Sequence, residues 1–574
     1  MRTHLIFLIT LSFGFVGCDQ GADANRTEEP RVAQQEQTST NASQQQLDAI
    51  LERIYAANEP GVTVAVVHQG NVIYHTARGM ADLELEVAMQ PEHVLKIGSI
   101  TKQFTAAAVL RLAEQGKLTM QTQVGDVLPN FHEPELTVHQ LLNHTSGLPS
   151  YTDDGEYMMG NAIRADVTAE EIIALTSDQP LDFVPGEDWR YSNSGYVVLG
   201  AIIEKLSGMS WHEYIAAELI EPLGLAFTGY FNEAEIVAGR VPGYMYENGF
   251  TNAPFISMTQ PHAAGAFYST APELARWQYA LHTGQVLEPE SYAQMIDASQ
   301  GLNSYAYALD IVSLRGTKMI SHGGGIHGFS AFGLWLPEHE LSVVALTNRM
   351  GPGMGSSGTA MRIAAQLMGQ PFPLEQASVN IDDAELQALV GTYRVDEDTL
   401  RTIFIKEGVL YSKRGDGRPY AARYVGNDQF VFADTLVYFE VVRDDAGTVT
   451  GLNYYQLEEA EPEFSEKVSD EVQVRTAIEL TDAQAQRLVG DYQLQPNFVI
   501  SIRHTDAGLT AQATGQSAFL VDASSANVLF NEEFGIVMEF DLPDEGPATQ
   551  LNLLQGGQNQ PAPRIDSSTN KEDE

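Results

Sequence analysis

The 574-residue chain has one cysteine, which excludes an intramolecular disulfide framework and a cysteine-based zinc site. Basic residues are also scarce: Lys and Arg number 32 against 76 Asp and Glu, a formal net charge of −44. Phosphate binding needs clustered Lys and Arg, so nucleic acid is excluded as a partner. Anionic headgroups repel such a chain, so any membrane attachment must use something other than charge. No His-Glu-x-x-His and no EF-hand loop occurs, so no metal is expected. The missing Gly-x-Ser-x-Gly argues against an α/β-hydrolase. What is present is 44% hydrophobic and 19% charged, a globular composition, in a chain long enough for two or three domains.

The apolar run Leu5–Val16 is too short to span a bilayer core of ~30 Å and has the length of a signal-peptide core. It ends at Phe15-Val16-Gly17-Cys18, which resembles the bacterial lipobox with Phe15 in place of the usual Leu. The expectation is a lipoprotein signal peptide over 1–17, with Cys18 lipidated as the membrane anchor. An ordinary secretory signal with an incidental cysteine is the competing reading. Residues 18–46 are polar, rich in Gln, Thr, Ser and Glu, and read as a flexible linker. Together these predict a bacterial cell-envelope protein, lipid-anchored and facing the periplasm or the extracellular side.

Strand patterns at 60–67 and 72–76 flank a His68-Gln69-Gly70-Asn71 turn. Helical patterns follow at 101–115, 138–142, 169–176, 196–207, 211–220 and 272–282, then strands at 318–321, 330–336 and 341–347. Strands at both ends with helices between predict an α+β domain over 47–375, an antiparallel sheet against a helical region. Beyond it the chain repeats itself. Leu389-Val390-Gly391-Thr392-Tyr393 matches Leu488-Val489-Gly490-Asp491-Tyr492, and Phe430-Val431-Phe432 matches Val528-Leu529-Phe530. Two copies of one small antiparallel β domain are expected, over 380–475 and 478–556, with 557–574 as a disordered tail.

Three short patterns carry chemistry. In Ser99-Ile100-Thr101-Lys102, residues i and i+3 share a helical face, so an amine can reach a serine hydroxyl at a helix start. That amine acts as a base only if burial pulls its pKa well below ~10.4. A serine there is otherwise just an N-cap. Tyr191-Ser192-Asn193 lies in a loop and offers a phenol for proton transfer and an amide for substrate, or ordinary turn chemistry. His322-Gly323-Gly324-Gly325 ends a strand, where glycines admit a close substrate backbone and a free N–H can form half of an oxyanion hole. A plain glycine-rich turn is the alternative. Each pattern has a decoy, in Ser568–Lys571, Tyr246–Asn248 and His68–Gly70. With the tail serine set aside, only Ser99 precedes both other patterns in order.

On these residues the chain resembles the serine β-lactamase and penicillin-binding-protein superfamily, in the branch of class C β-lactamases, D-aminopeptidases, DD-peptidases and related esterases. Leu141–Leu148 and Gly265–Ala271 look like blocks of the same family. The resemblance spans about 47–372, and the two repeats resemble the lipocalin-like barrels of D-aminopeptidase-like members. It implies a serine hydrolase without cofactor. Ser99 would attack an acyl carbonyl, and Lys102 and Tyr191 would move protons. Asn193 would hold the substrate amide, the backbone N–H groups of Ser99 and Gly325 would form the oxyanion hole, and Gly324 would line the substrate site. β-Lactamases usually carry Lys-Thr-Gly where this chain has His322-Gly323-Gly324. A neutral His supplies no fixed charge for a substrate carboxylate. The expected substrate is therefore an ester, or a D-amino-acid amide or short peptide, with His322 sharing the proton transfer. A β-lactamase or DD-carboxypeptidase, and a non-catalytic penicillin-binding sensor, are the alternatives.

Other signals are read as structural. Gly353-Met354-Gly355-Ser356-Ser357-Gly358 lacks the βαβ context of a dinucleotide site, so a loop beside the last strand is expected. His144 and His327 are expected to be structural, and Tyr151-Thr152-Asp153-Asp154 a solvated loop, with lining of the site entrance as the alternative.

Overall fold

The computed structural model describes residues 44–374, 379–472, 475–495, 498–555 and 558–565. Cys18, the signal segment 1–17, nearly all of the 18–46 linker and the end of the chain past 565 lie outside the described residues.

A first helix, α1, covers 44–54. The α+β domain is built on six antiparallel strands: β1 (Val62–His68), β2 (Asn71–Arg78), β3 (Asp310–Leu314), β4 (Thr317–Ile326), β5 (Phe329–Leu336) and β6 (Leu341–Thr347). Their spatial order is β3-β4-β5-β6-β1-β2. The first strand therefore lies beside the last, with Val64 opposite Ala345. The VTVAVVH run suits this place, because β1 is covered on both faces. Ala65 and Val67 face a core shared with α2 (Thr101–Glu114), α3 (Asn193–Ser207) and α4 (Ala271–His282). Val64 and Val66 face a second core, filled by α5 (Gly355–Leu367) and Leu47, Ile50 and Leu51 of α1. The β1–β2 turn has Gln69 and Gly70 at positive φ (49° and 80°), the twist a two-residue hairpin needs.

Four sequence expectations change here. The loop expected over Gly353–Gly358 gives way at Gly355 to the first turn of α5. The glycines after His322 do not end a strand; β4 runs on to Ile326. The helix expected from Tyr196 starts at Asn193, because Ser192 caps it by accepting the Gly195 N–H. The expected disordered tail contains a strand, Gln558–Ile565, paired with both Gln550–Gln555 and Gly490–Gln495.

The first repeat is a closed eight-stranded barrel from Gly391 to Ser469. The second is a nine-stranded antiparallel sheet whose end strands, Phe519–Leu520 and Asp522–Ser525, are consecutive in the chain. One strand of the first barrel, Tyr420–Gly426, holds the matching place. The pairing of Gly391 with Ile403 recurs as Gly490 with Ile502.

The first barrel grips the α+β domain at the β3–β4 turn. The Arg315 and Gly316 N–H groups donate to the Leu457 and Glu458 carbonyls at 3.0 and 2.7 Å. The Arg315 guanidinium donates to the Tyr438 hydroxyl at 2.9 Å and lies 4.3 Å from the Phe372 ring centroid. Val425, Val431, Leu436 and Tyr438 join the core beneath α5.

Candidate active site

Ser99 sits in a single 3-10 turn, Gly98–Ile100, that runs directly into α2. Its hydroxyl caps nothing: Ile100 is the N-cap, with no side-chain bond. α2 is buried from Thr101 through Leu110, and Lys102 has no exposed surface at all. Ser99 itself is partly exposed.

Lys102 Nζ lies 3.3 Å from Ser99 Oγ, 2.8 Å from Asn193 Oδ1 and 2.8 Å from the Ala264 carbonyl oxygen. Burial pulls the Lys102 pKa well below the usual lysine range. A neutral amine has two N–H bonds and one lone pair. The amide oxygen and the carbonyl oxygen can only accept, so they take both N–H groups. The lone pair is left for the Ser99 O–H. Tyr191 also hydrogen-bonds Ser99, and burial raises its pKa, so it stays a protonated phenol.

The carbonyl side of the site is formed by β4. It pairs with β3 only as far as Ser321, opposite Asp310, so His322–Ile326 present an edge free of β3. That edge passes against the Ser99 turn. A Cβ built on Gly324 would lie 1.9 Å from the Ile97 carbonyl oxygen, and one on Gly98 would lie 2.9 Å from Gly325 N. Gly98 also needs φ of +51°. The Gly324–Gly325 backbone thus lies directly against the Ile97–Ser99 backbone; a Cβ on Gly324 would also lie 3.1 Å from Ser99 N.

The structure thus brings together Ser99, Lys102, Tyr191, Asn193, Gly324 and Gly325. Asn193 is committed to the protein: besides Lys102, its Nδ2 donates to Thr152 Oγ1 at 2.9 Å. His322 is adjacent but turned to other partners. Its Nδ1–H donates to the Gly323 carbonyl at 2.5 Å, and its Nε2 accepts from the Tyr305 hydroxyl at 2.8 Å. Burial pushes its pKa down to about 3, so it is neutral.

Sequence reasoning missed several neighbours. The solvated loop expected over Tyr151–Asp154 fails at Tyr151, which is buried, and the preceding Ser150 Oγ accepts the Asn193 N–H at 3.0 Å. Tyr305, which holds His322, carries no motif. The structural role expected of His144 has content: its Nδ1 accepts the Ser192 N–H at 3.2 Å, and its ring lies 4.3 Å from that of Tyr191. It thereby fixes the loop from which Tyr191 reaches Ser99 and Asn193 reaches Lys102. His327 donates from Nδ1 to the Pro254 carbonyl at 3.3 Å.

A family model described as Beta-lactamase matches residues 41–368. Penicillin-binding protein 4* of Bacillus subtilis (strain 168) is 26% identical over 392 residues, covering 64% of this chain and 86% of that protein. Protein flp of Staphylococcus aureus (strain MRSA252) is 29% identical over 329 residues, 54% of this chain and 64% of that protein. Among solved structures, the octameric penicillin-binding protein homologue from Pyrococcus abyssi is 25% identical, with a TM-score of 0.51, covering 76% of this chain and all (100%) of that one. A D-amino acid amidase from Ochrobactrum anthropi SV3 shares the fold, with a TM-score of 0.51 at 22% identity, over 58% of this chain and 99% of that one.

Proposed function

We propose that this chain, which belongs to the Beta-lactamase family, is an exported serine hydrolase that cleaves an amide or ester through an acyl-enzyme on Ser99. One observation carries the reading: the Lys102 amine has two obligate acceptors at 2.8 Å, and its remaining neighbour is the Ser99 hydroxyl. A buried amine so arranged is a base for that hydroxyl.

Ser99 Oγ attacks the substrate carbonyl carbon as its proton passes to Lys102 Nζ. The negative oxygen is received by the Ser99 and Gly325 N–H groups. As the C–N or C–O bond breaks, the proton returns to the leaving amine or alcohol through Tyr191. Water then enters and repeats the sequence, freeing the acid and restoring the Ser99 hydroxyl. Asn193 exchanges its Thr152 bond for the substrate amide. Tyr305 holds His322 neutral beside Tyr191, where it acts by position.

A neutral His322 offers no fixed charge for a substrate carboxylate, which favours a D-amino-acid amide or short peptide, or an ester. Anchoring to the cell envelope through Cys18 is part of the same proposal and rests on the Phe15–Cys18 sequence. The test is covalent labelling by a fluorophosphonate or fluorescent penicillin, beside turnover of p-nitrophenyl esters and D-amino-acid p-nitroanilides. Ser99→Ala abolishes both; labelling that survives it rejects the assignment. A penicillin-binding sensor is the second reading, favoured by the name of the Bacillus subtilis relative. It requires labelling without turnover of any of these substrates.

A further inference from the structure

The lumen of the first barrel contains a polar group that the second repeat does without. Arg401, Ser412, Tyr454 and Ser465 are 5%, 3%, 2% and 0% exposed. The strand registers match them to Ile500, Ala511, Leu553 and Ala562. Ile403 opposite Ser412 corresponds to Ile502 opposite Ala511, and Leu452 opposite Ser465 to Leu551 opposite Ala562. The same strand frame therefore packs with apolar side chains at all four places, and the polar set is not needed for the fold. Burying a guanidinium and three hydroxyls is costly unless their bonds are made.

Those bonds are incompletely made. The Arg401 guanidinium lies 3.4 Å over the centre of the Tyr454 ring, which fixes its plane. It reaches Ser412 Oγ and a Glu463 oxygen only at 3.4 Å each. Its Nε, and the Ser465 hydroxyl, are buried without a partner. Ser412 is instead bonded to the Tyr454 hydroxyl at 2.5 Å. Glu463 stands at the barrel mouth, 31% exposed, and also binds Arg414 at 3.2 Å, which has Asp396 at 3.8 Å as well. Beneath the cluster, Phe430, Phe432 and Phe439 pack with Tyr454 in the buried core of the barrel.

We propose that the first barrel binds a small carboxylate, free or at the end of a peptide, on Arg401. The ligand displaces the Glu463 carboxylate, which stays on Arg414. Its oxygens take the Arg401 Nε–H and one Nη–H as a fork, and the Ser465 hydroxyl donates to it. This site is independent of the chemistry at Ser99.

Isothermal titration of the full chain with sodium acetate, at fixed ionic strength, tests it. Saturable binding at one site is expected, weakened about tenfold or more by Arg401→Ile, which copies the second repeat. Glu463→Gln removes the competing carboxylate and tightens binding several-fold, and Ser99→Ala leaves it unchanged. Parallel titration with N-acetyl-glycyl-glycine separates a peptide terminus from a free acid. Absence of saturable binding by either probe, equal affinity in Arg401→Ile, or loss of binding in Ser99→Ala overturns the proposal. Turnover at Ser99 and circular dichroism establish that Arg401→Ile is folded. If it is not, Glu463→Gln decides, and an unchanged affinity there rejects the site.

Discussion

At the scale of single residues, the proposed chemistry depends on one amine whose pKa burial pulls well below the usual lysine range. A permanently charged guanidinium cannot take a proton from Ser99, so Lys102→Arg should lower kcat about a thousandfold. Because burial lowers the Lys102 pKa, the base persists below the ordinary lysine range and is lost as pH falls through the folded value. The acidic limb of a kcat/KM profile measures that value; a limb unchanged in the Lys102→Ala residual activity would assign it elsewhere. Tyr191→Phe removes the phenol that bonds Ser99 and should cost about a hundredfold or more in kcat with little change in KM. The Ser99–Lys102 spacing was readable because one helical turn sets it. Ser150 and Tyr305 were not, because each reaches the site from a segment whose place only packing fixes.

At the scale of elements, the site is the meeting of a helix start with a strand edge, and glycine makes the approach possible. Gly324→Ala drives a methyl to 1.9 Å from the Ile97 carbonyl oxygen, so the strand or the Ser99 turn must move. Gly323→Ala meets nothing closer than 3.6 Å. The first should abolish acylation and lower the melting temperature, and the second should be tolerated. Equal behaviour of the two variants would refute this account of the oxyanion edge. The Gly-rich run was visible in the sequence, but it read as a strand end. Its continuation as β4 depends on pairing with β5, from Ile326 opposite Phe329 back to Ile320 opposite Trp335, which no local pattern encodes.

At the scale of the molecule, the two cores and the first barrel are continuous. Deleting the chain from Ile381 exposes the apolar face beneath α5 and leaves the Arg315 ring contacts to Tyr438 and Tyr455 unmade. The truncated protein should aggregate or lose its cooperative melt rather than merely change its substrate range; a monomeric, fully active truncation would contradict this. Buried histidines give stability a pH dependence. His262, His282 and His322 are each pushed down to about 3 by burial, from an ordinary value near 6.5. Between those values the unfolded chain binds protons that the folded one refuses. Stability is therefore full above about pH 6.5 and falls toward pH 3, by up to about 1.4 kcal/mol per pH unit for each group. Urea midpoints measured from pH 7.5 to 5 should decline, and less steeply in His282→Gln. By itself the sequence determined the acidic surface, the α+β order of strands and helices, the repeat, and the Ser99–Lys102, Tyr191–Asn193 and His322–Gly325 groups, since these follow from composition, periodicity and local spacing. Only the tertiary structure decided that Lys102 is desolvated, that His322 is committed to Tyr305 and Gly323, and that one of two matched β domains carries a buried arginine. Burial and partner geometry arise from contacts between segments far apart in the chain.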